Sequence, residues 1–176
     1  MSEQQTAIPP RGNKTVGDIT RSLVPLLVLV VLAVWVLWPR VGSKVHQVDP
    51  SGDLRDAGRI GLFTVLAPTG LPSGWRPTSS RLDRPRPGEL TIEIGYLTPG
   101  EKYARYVQSN VDTAALLGGQ IPGAARDGSV RVGGRSWDRY RAARGELAYV
   151  LAGATTLLVT GSASAAELDV LASSLR

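Results

Sequence analysis

The chain has 176 residues, of which 20 are Lys or Arg and 15 are Asp or Glu, so its net charge is +5 with the single histidine neutral. It contains no cysteine, which excludes a disulfide framework, a cysteine-ligated zinc or iron–sulfur site and a thiol nucleophile. One histidine likewise excludes a multi-histidine metal site. The length allows one domain with additional segments, and a hydrophobic fraction of 43% excludes a wholly disordered chain.

Residues 1–20 form a polar segment that contains Pro9-Pro10 and has few apolar side chains to bury. Such a composition cannot offset the entropy lost when a chain becomes ordered. We therefore expect residues 1–20 to be a disordered tail, on the cytoplasmic side of a membrane.

An uninterrupted apolar run follows at residues 23–38, with no charged side chain among its 16 residues. As an α-helix the run covers roughly 24 Å, and its polar neighbours extend it towards the ~30 Å of a bilayer core, since the stem of Arg21 can snorkel. Trp35 and Trp38 suit the membrane interface at the far end. The sequence therefore predicts a transmembrane helix over residues 21–39. The alternative of a buried core helix is disfavoured, because no face of this helix is polar.

A cleaved signal peptide is the second alternative for the apolar run. Signal peptides end in a small-residue cleavage site, whereas this run ends in Trp38-Pro39-Arg40, which favours an uncleaved anchor. Basic residues are nearly balanced between the two flanks, so charge alone does not set the orientation. A short tail, one early span and a large following domain are typical of a signal anchor. We expect a single-pass plasma-membrane protein with its N-terminus in the cytoplasm.

The segment after the span is polar and rich in turn residues, and it predicts a juxtamembrane linker over residues 40–59 with a short helix near residues 54–60. Residues 60–176 are then expected to form one extracytoplasmic domain. An apolar stretch that ends at a proline predicts a strand over residues 61–68. Residues 75–82 are mostly polar and predict an edge strand. Alternating apolar side chains predict a half-buried strand over residues 90–97.

Two capping boxes predict helices in this domain. Thr98 as the cap, Pro99 at the first helical position and Glu101 three residues after the cap predict a helix over residues 99–111. Ser164 and Glu167 form the second box, ahead of leucines at helical spacing, and predict a terminal helix that packs on a sheet.

Four further strands lie between these helices. Gly133-Gly134 marks a hairpin that joins residues 129–132 to residues 135–144, and a second pair follows at residues 146–152 and 155–160. Hairpin-connected strands with two helices predict an α+β fold, in which two helices pack on an antiparallel sheet after one transmembrane helix.

Several short sequences, in a fixed order, resemble a known family. They are Lys14-Thr15-Val16-Gly17-Asp18-Ile19 ahead of Arg21-Ser22-Leu23, Leu71-Pro72 with Gly74-Trp75, Gly95-Tyr96-Leu97-Thr98-Pro99, Tyr103 with Gln108-Ser109, and Gly134-Arg135-Ser136-Trp137. Together they resemble the family of actinobacterial single-pass proteins known as domain of unknown function 4245, over almost the whole chain. The resemblance implies no activity, because that family has none assigned. The order of elements is also similar to the Mog1/PsbP-like fold, an antiparallel sheet flanked by helices.

Motifs for catalysis and cofactor binding are missing from the sequence. It has no P-loop, no dinucleotide-binding glycine motif and no serine-hydrolase elbow. His46 lies in the linker, where no neighbour in sequence orients it as a base. Glu89 and Glu93 would be about 13 Å apart along a strand. That separation exceeds the roughly 5–9.5 Å of glycosidase carboxylates. We predict no catalytic residue, no cofactor and no metal site.

Arginines are concentrated in one stretch of 14 residues, with aromatic side chains between them. The predicted patch for an anionic partner consists of Arg131, Arg135, Arg139, Arg141 and Arg144 with Trp137. Suitable partners are an envelope protein, an anionic lipid or an acidic wall polymer, and nucleic acid is excluded by the expected location. The alternative is a solvated hairpin with cross-strand pairing to acids such as Asp138 or Glu146, in a chain whose coding bias already favours arginine.

These observations predict a membrane-anchored envelope module that binds or scaffolds another component without catalysis. One alternative is an envelope enzyme that uses carboxylates and arginines, and two carboxylates converging in a cleft would favour it. The other is a binder of anionic lipid or polymer through the arginine-rich hairpin, which salt-dependent binding to anionic vesicles would favour.

Overall fold

A computed structural model describes residues 27–29, 47–142 and 144–176, and it divides the chain into two units, Met1–Lys44 and Val45–Arg176. In the first unit the described residues 27–29 are helical and exposed. None of the described helices is both long enough and apolar enough to cross a membrane. The tail predicted for residues 1–20 lies outside the described residues, as does most of the apolar run, so the tail and the anchor stay predictions.

The second unit is an α+β domain built on a seven-stranded, fully antiparallel sheet, which confirms the predicted class. Its helices number three rather than two in the described residues. The elements in chain order are α1 (Ser51–Ile60), β1 (Arg76–Asp83), β2 (Thr91–Leu97), β3 (Tyr103–Ser109), α2 (Thr113–Gln120), β4 (Ala125–Val132), β5 (Arg135–Arg141), β6 (Leu147–Leu151), β7 (Thr156–Gly161) and α3 (Ala165–Ser174). The spatial order β1-β2-β3-β7-β6-β5-β4 joins two meanders through the β3–β7 pair.

The larger core lies between one face of the sheet and the helices α1 and α3. Ile92, Tyr106 and Val159 point from the strands to Leu168 and Leu171 of α3, and all five are fully buried. Removing such side chains from water is the main favourable term in folding. This core fixes α3 across the centre of the sheet, as the spacing of its leucines predicts.

Helix α1 belongs to this core rather than to a linker. Ala57 is fully buried, Leu54 and Ile60 pack beside it, and Ser80 of β1 donates a hydrogen bond to Asp53. Part of the linker predicted for residues 40–59 therefore lies in α1, which packs in the larger core.

A smaller core lies on the opposite face, beneath α2. Leu116 and Ile121 cover Val107, Val150 and Leu158, which are buried on the central strands. The sheet is thus covered on both faces near its centre. Strands in that position have apolar side chains on both sides and lose the simple alternation of a half-buried strand.

The helix predicted for residues 99–111 is wrong, because β3 occupies most of that range. Thr98 accepts a hydrogen bond from Glu101 N at 2.9 Å and donates from its own backbone N to Lys102 O at 2.8 Å, which closes a hairpin between β2 and β3. Glu101 takes the left-handed conformation with φ 55°. Pro99 and Gly100 therefore form a turn with a bulge residue rather than a first helical turn.

Residues 61–69, here called the crossing segment, run over the sheet without joining it, so the strand predicted for residues 61–68 is wrong. Gln108 of β3 is 1% exposed and holds this segment with its side-chain amide. Its Oε1 accepts from Leu66 N at 2.9 Å, and its Nε2 donates to Thr64 O at 2.9 Å. The Tyr106 hydroxyl lies within hydrogen-bonding distance of Leu66 O and of Gln108 Oε1. Burial raises the pKa of Tyr106 far above its usual range.

Both edges of the sheet are irregular. The β1–β2 register shifts between Pro77 and Ser79, and the β4–β5 register shifts between Arg126 and Ser129. Bulges of this kind interrupt the regular row of backbone donors and acceptors that an edge strand would otherwise present.

The start of α3 is tied to the β2–β3 turn through one carboxylate. The predicted capping box is confirmed, with Ser164 N donating to Glu167 Oε2 at 3.0 Å, and Gly100 N donates to Glu167 Oε1 at 3.2 Å. Hydrogen bonds from the Thr98 side chain and then from Ser164 lower the pKa of Glu167 from 4.5 to about 2.

We expect Gln108→Leu to lower the free energy of unfolding by about 2 kcal/mol, because it removes two hydrogen bonds that the buried amide makes to partly buried backbone groups of the crossing segment. Urea denaturation measures the loss, and hydrogen exchange should show reduced protection at the Leu66 amide. Gln47→Leu is the matched control at an exposed position and should change stability by less than about 0.5 kcal/mol. Equal effects of the two variants would contradict this role for Gln108.

We expect Glu167→Gln to change how the free energy of unfolding depends on pH. Since folding lowers the pKa of Glu167, its charged form contributes stability above its ordinary pKa of 4.5, and that contribution is lost as the pH falls towards about 2. The variant should be less stable at pH 7, by at most about 1 kcal/mol for a solvated carboxylate. Urea midpoints of the two proteins should then converge near pH 2. A gap that persists unchanged at low pH, or an equal effect of the exposed control Glu146→Gln, would contradict the assignment.

Candidate functional site

An open groove of about 500 Å³ lies beside the C-terminal end of α2, and we call it the α2 groove. Three parts of the fold form it: the start of β3, the end of β7 with the β5–β6 turn, and the residues that follow α2. The lining residues are Tyr103, Arg105, Gln120, Ile121, Pro122, Ala142, Arg144, Glu146, Thr160 and Gly161. Its volume is within the range of small-molecule sites in proteins, about 300–1,000 Å³.

Arg105 is fixed at the base of this groove by two partners. Its Nη1 donates to Glu93 Oε1 at 3.1 Å and its Nη2 donates to the backbone oxygen of Gln120 at 2.7 Å. The cation thereby meets carbonyl groups at the end of α2, where the helix dipole favours positive charge. Because about a fifth of each side chain in the Arg105–Glu93 pair is exposed, the guanidinium is held in place yet still reaches solvent.

Tyr103 forms one rim of the groove and is 38% exposed. Its hydroxyl lies over Gly95, where an added Cβ would sit 2.6 Å from that oxygen. Gly161 of β7 allows the neighbouring strand to approach, since an added Cβ there would collide with Tyr103 O and its φ of 149° is open to glycine alone. These two glycines therefore leave room for the tyrosine and for the backbone beneath it.

The arginine-rich hairpin does not form one continuous surface. Trp137 is fully buried in the larger core, and its indole N–H has no hydrogen-bond partner among the described residues, so it is not available to a partner molecule. Val130 and Val132 point to the same core, which places Arg131 on the opposite face of β4. Arg135, Arg139 and Arg141 alternate with Tyr140 and lie on the Trp137 face of β5.

Acidic side chains already pair with part of this hairpin. Arg139 Nε donates to Asp127 O at 2.9 Å, and Arg141 Nη2 donates to Asp127 Oδ2 at 3.0 Å. On the other face Arg126 pairs with Asp138, the acid that the sequence analysis named as a cross-strand partner. Asp127 lies in the β4 bulge, a position that strand alternation does not anticipate.

Three of the predicted patch residues make no ion pair with a described residue. These are Arg131, Arg135 and Arg144. Arg144 lies away from the hairpin tip and lines the α2 groove, together with Glu146. Arg144 is therefore close to the hairpin arginines in sequence but belongs to the α2 groove in space.

The residues considered for acid–base catalysis do not come together in the described part of the chain. Glu93 pairs with Arg105, whereas Glu89 lies before β2 and contacts Arg86 at 3.5 Å. His46 lies outside the described residues. Within the described ranges no group of three or more acidic or histidine side chains is arranged to hold a metal ion.

Comparison with known proteins gives one match. The family described as "Protein of unknown function (DUF4245)" matches residues 11–175. No curated protein and no solved structure matches the chain.

We expect the Arg105–Glu93 pair to couple more strongly than an Arg–Glu pair in which the arginine is exposed. A double-mutant cycle with Arg105→Met and Glu93→Met should give a coupling energy of about 1–2 kcal/mol, since both charges are largely withdrawn from solvent. The matched control is Arg86 with Glu89, where Arg86 is 78% exposed. Its coupling energy should stay below about 0.5 kcal/mol. Similar coupling energies in both pairs, measured by urea denaturation, would contradict the conclusion that Glu93 holds Arg105 in place.

Proposed function

The chain belongs to the DUF4245 family, and on that premise we propose that it is a membrane-anchored binding module of the cell envelope. The anchor is the apolar segment at residues 21–39. The folded unit lies outside the cytoplasm and binds an envelope component in the α2 groove without catalysing a reaction. The abundance of Arg over Lys is typical of high-GC bacteria and supports an actinobacterial source.

The anchor is supported by how apolar side chains are divided along the chain. Residues 23–38 carry no charge, whereas both described apolar cores are built from residues of the unit Val45–Arg176. An uncharged apolar run of this length that contributes to neither described core suits the interior of a bilayer. One span then places the folded unit on a single side of the membrane.

The observation that carries the binding function is the pairing of a fixed arginine with an exposed tyrosine in the α2 groove. Arg105 is held by two hydrogen bonds before any ligand arrives, and Tyr103 offers an amphipathic surface beside it. Groups that are already ordered lose little conformational entropy on binding, so such a site is suited to recognition.

An enzyme that uses carboxylates has less support. Glu146 is the one carboxylate among the described residues that line the groove, and the nearby Glu93 is engaged by Arg105. Acid–base catalysis on an envelope substrate would need a second group within hydrogen-bonding reach of the reacting atoms. No cofactor forms part of this proposal.

Attachment to an anionic surface is a second candidate function. It is favoured by Arg131 and Arg135, which make no ion pair with a described residue and flank the tip of the β4–β5 hairpin. Binding of the protein to phosphatidylglycerol vesicles should then weaken with salt and in the variant Arg131→Gln/Arg135→Gln. Binding that is insensitive to both would exclude this function.

We expect a cysteine introduced by Ser162→Cys to react with a membrane-impermeant maleimide on intact cells. Ser162 is exposed, and the chain has no other cysteine, so the signal is specific. Ser2→Cys is the matched control and should react only after lysis. Reaction of Ser162→Cys only after lysis would invert the topology, and recovery of the full-length chain in the soluble fraction would exclude the anchor.

A further inference from the structure

The α2 groove presents hydrogen-bond donors that no described residue uses. A guanidinium carries five N–H donors. The two bonds to Glu93 and Gln120 occupy one donor on Nη1 and one on Nη2, which leaves Nε–H and two further N–H groups of Arg105 without a described partner. The same bonds fix the plane of the guanidinium, so these donors have a defined direction.

The charge of the groove favours an anion. Arg105 and Arg144 both line it, against Glu146 as the one acidic lining residue, and Arg144 is exposed without an ion pair to any described residue. Guanidinium groups bind carboxylate and phosphate through short, charge-assisted hydrogen bonds. A cationic ligand would instead meet two like charges.

The rest of the wall is apolar and suits a ligand with a hydrophobic body. Pro122 and Tyr103 are exposed at the rim, and Ile121 lies between them and the smaller core. Ile121 also borders a second depression of about 250 Å³, which Leu117 and Tyr140 help to line. Apolar surface therefore extends from the groove along α2.

We infer that the α2 groove binds a small amphiphilic anion, with its carboxylate or phosphate on Arg105 and Arg144 and its apolar body along Ile121, Pro122 and Tyr103. This inference rests on the proposed binding function and specifies its ligand class. Arg105 supplies fixed donors, and Arg144 adds a second positive charge at the exposed wall of the groove. Tyr103 contributes a ring face for the apolar body.

The test uses isotope-labelled full-length protein in neutral detergent micelles and four probes that share one body: 3-phenylpropionate, 3-phenylpropyl phosphate, 3-phenylpropanol and 3-phenylpropylammonium. We expect saturable NMR shifts at the Arg105 Nε–H and the Tyr103 ring with the two anions, and much weaker effects with the alcohol and the ammonium. The stronger of the two anions identifies the headgroup.

A variant pair isolates the role of the charge. Arg144→Gln should weaken binding of the preferred anion about tenfold, the loss expected for one charge-assisted contact. Arg84→Gln is the matched control, since Arg84 is exposed in another loop, and it should leave the affinity unchanged.

The possible failures separate the two proposals. Equal shifts with all four probes would overturn the anion preference while leaving a binding groove. Shifts spread over many surface arginines, with no saturation at Arg105, would overturn the groove as the site. No response to any probe would exclude this ligand class, whereas the membrane anchor and its topology would be judged separately by labelling of Ser162→Cys.

Discussion

The path of the crossing segment depends on one buried amide, because this segment joins no strand of the sheet. Gln108 points from the centre of the sheet into the larger core and uses both ends of its amide on the backbone of that segment. Beyond Leu66 the segment pairs with Arg176, since Ala67 N donates to Arg176 O at 3.0 Å and Ala67 O accepts from Arg176 N at 3.2 Å. The amide thus determines where the N-terminal part of the domain meets its C-terminus. Apolar packing alone does not set this position, because it is not directional.

Much of the fold follows from local sequence signals. The capping box at Ser164, the glycine turn of the β4–β5 hairpin and the edge strand β1 each have a short-range cause, and each lies where it was predicted. Two of the errors share another cause, which is competition between two local signals. Thr98 to Glu101 satisfies a helix start and a hairpin turn equally well, and only the pairing of β3 with β2 and β7 decides between them. Helix α2 was missed because its two glycines mark a break, although Asp112 caps it through Ala115 N.

The sequence predicts less of the candidate site than of the fold. The residues that line the α2 groove are spread over the chain from Tyr103 to Gly161. The antiparallel pairing of β3 with β7 brings the two ends of this range together. Sequence proximity instead grouped arginines that strand alternation separates onto two faces, and it added to them Trp137, whose side chain is buried in the larger core. Nothing in the sequence marks Arg105 as a site residue, because it lies inside a predicted helix. Its position is fixed by a hydrogen bond to Gln120 at the end of α2, and this contact exists only in the folded domain.

The bulged edges of the sheet have a consequence for many copies held close together. A molecule confined to a surface meets its neighbours far more often than one free in solution, and a regular exposed edge would then act as a template for continuous sheets between molecules. Here β1 is interrupted at Pro77, whose oxygen already accepts from Val48 N at 3.0 Å, and β4 is interrupted beside Arg126 and Asp127. Neither edge offers a long flat row of free backbone groups. The interrupted edges therefore disfavour the growth of intermolecular β-structure between neighbouring molecules.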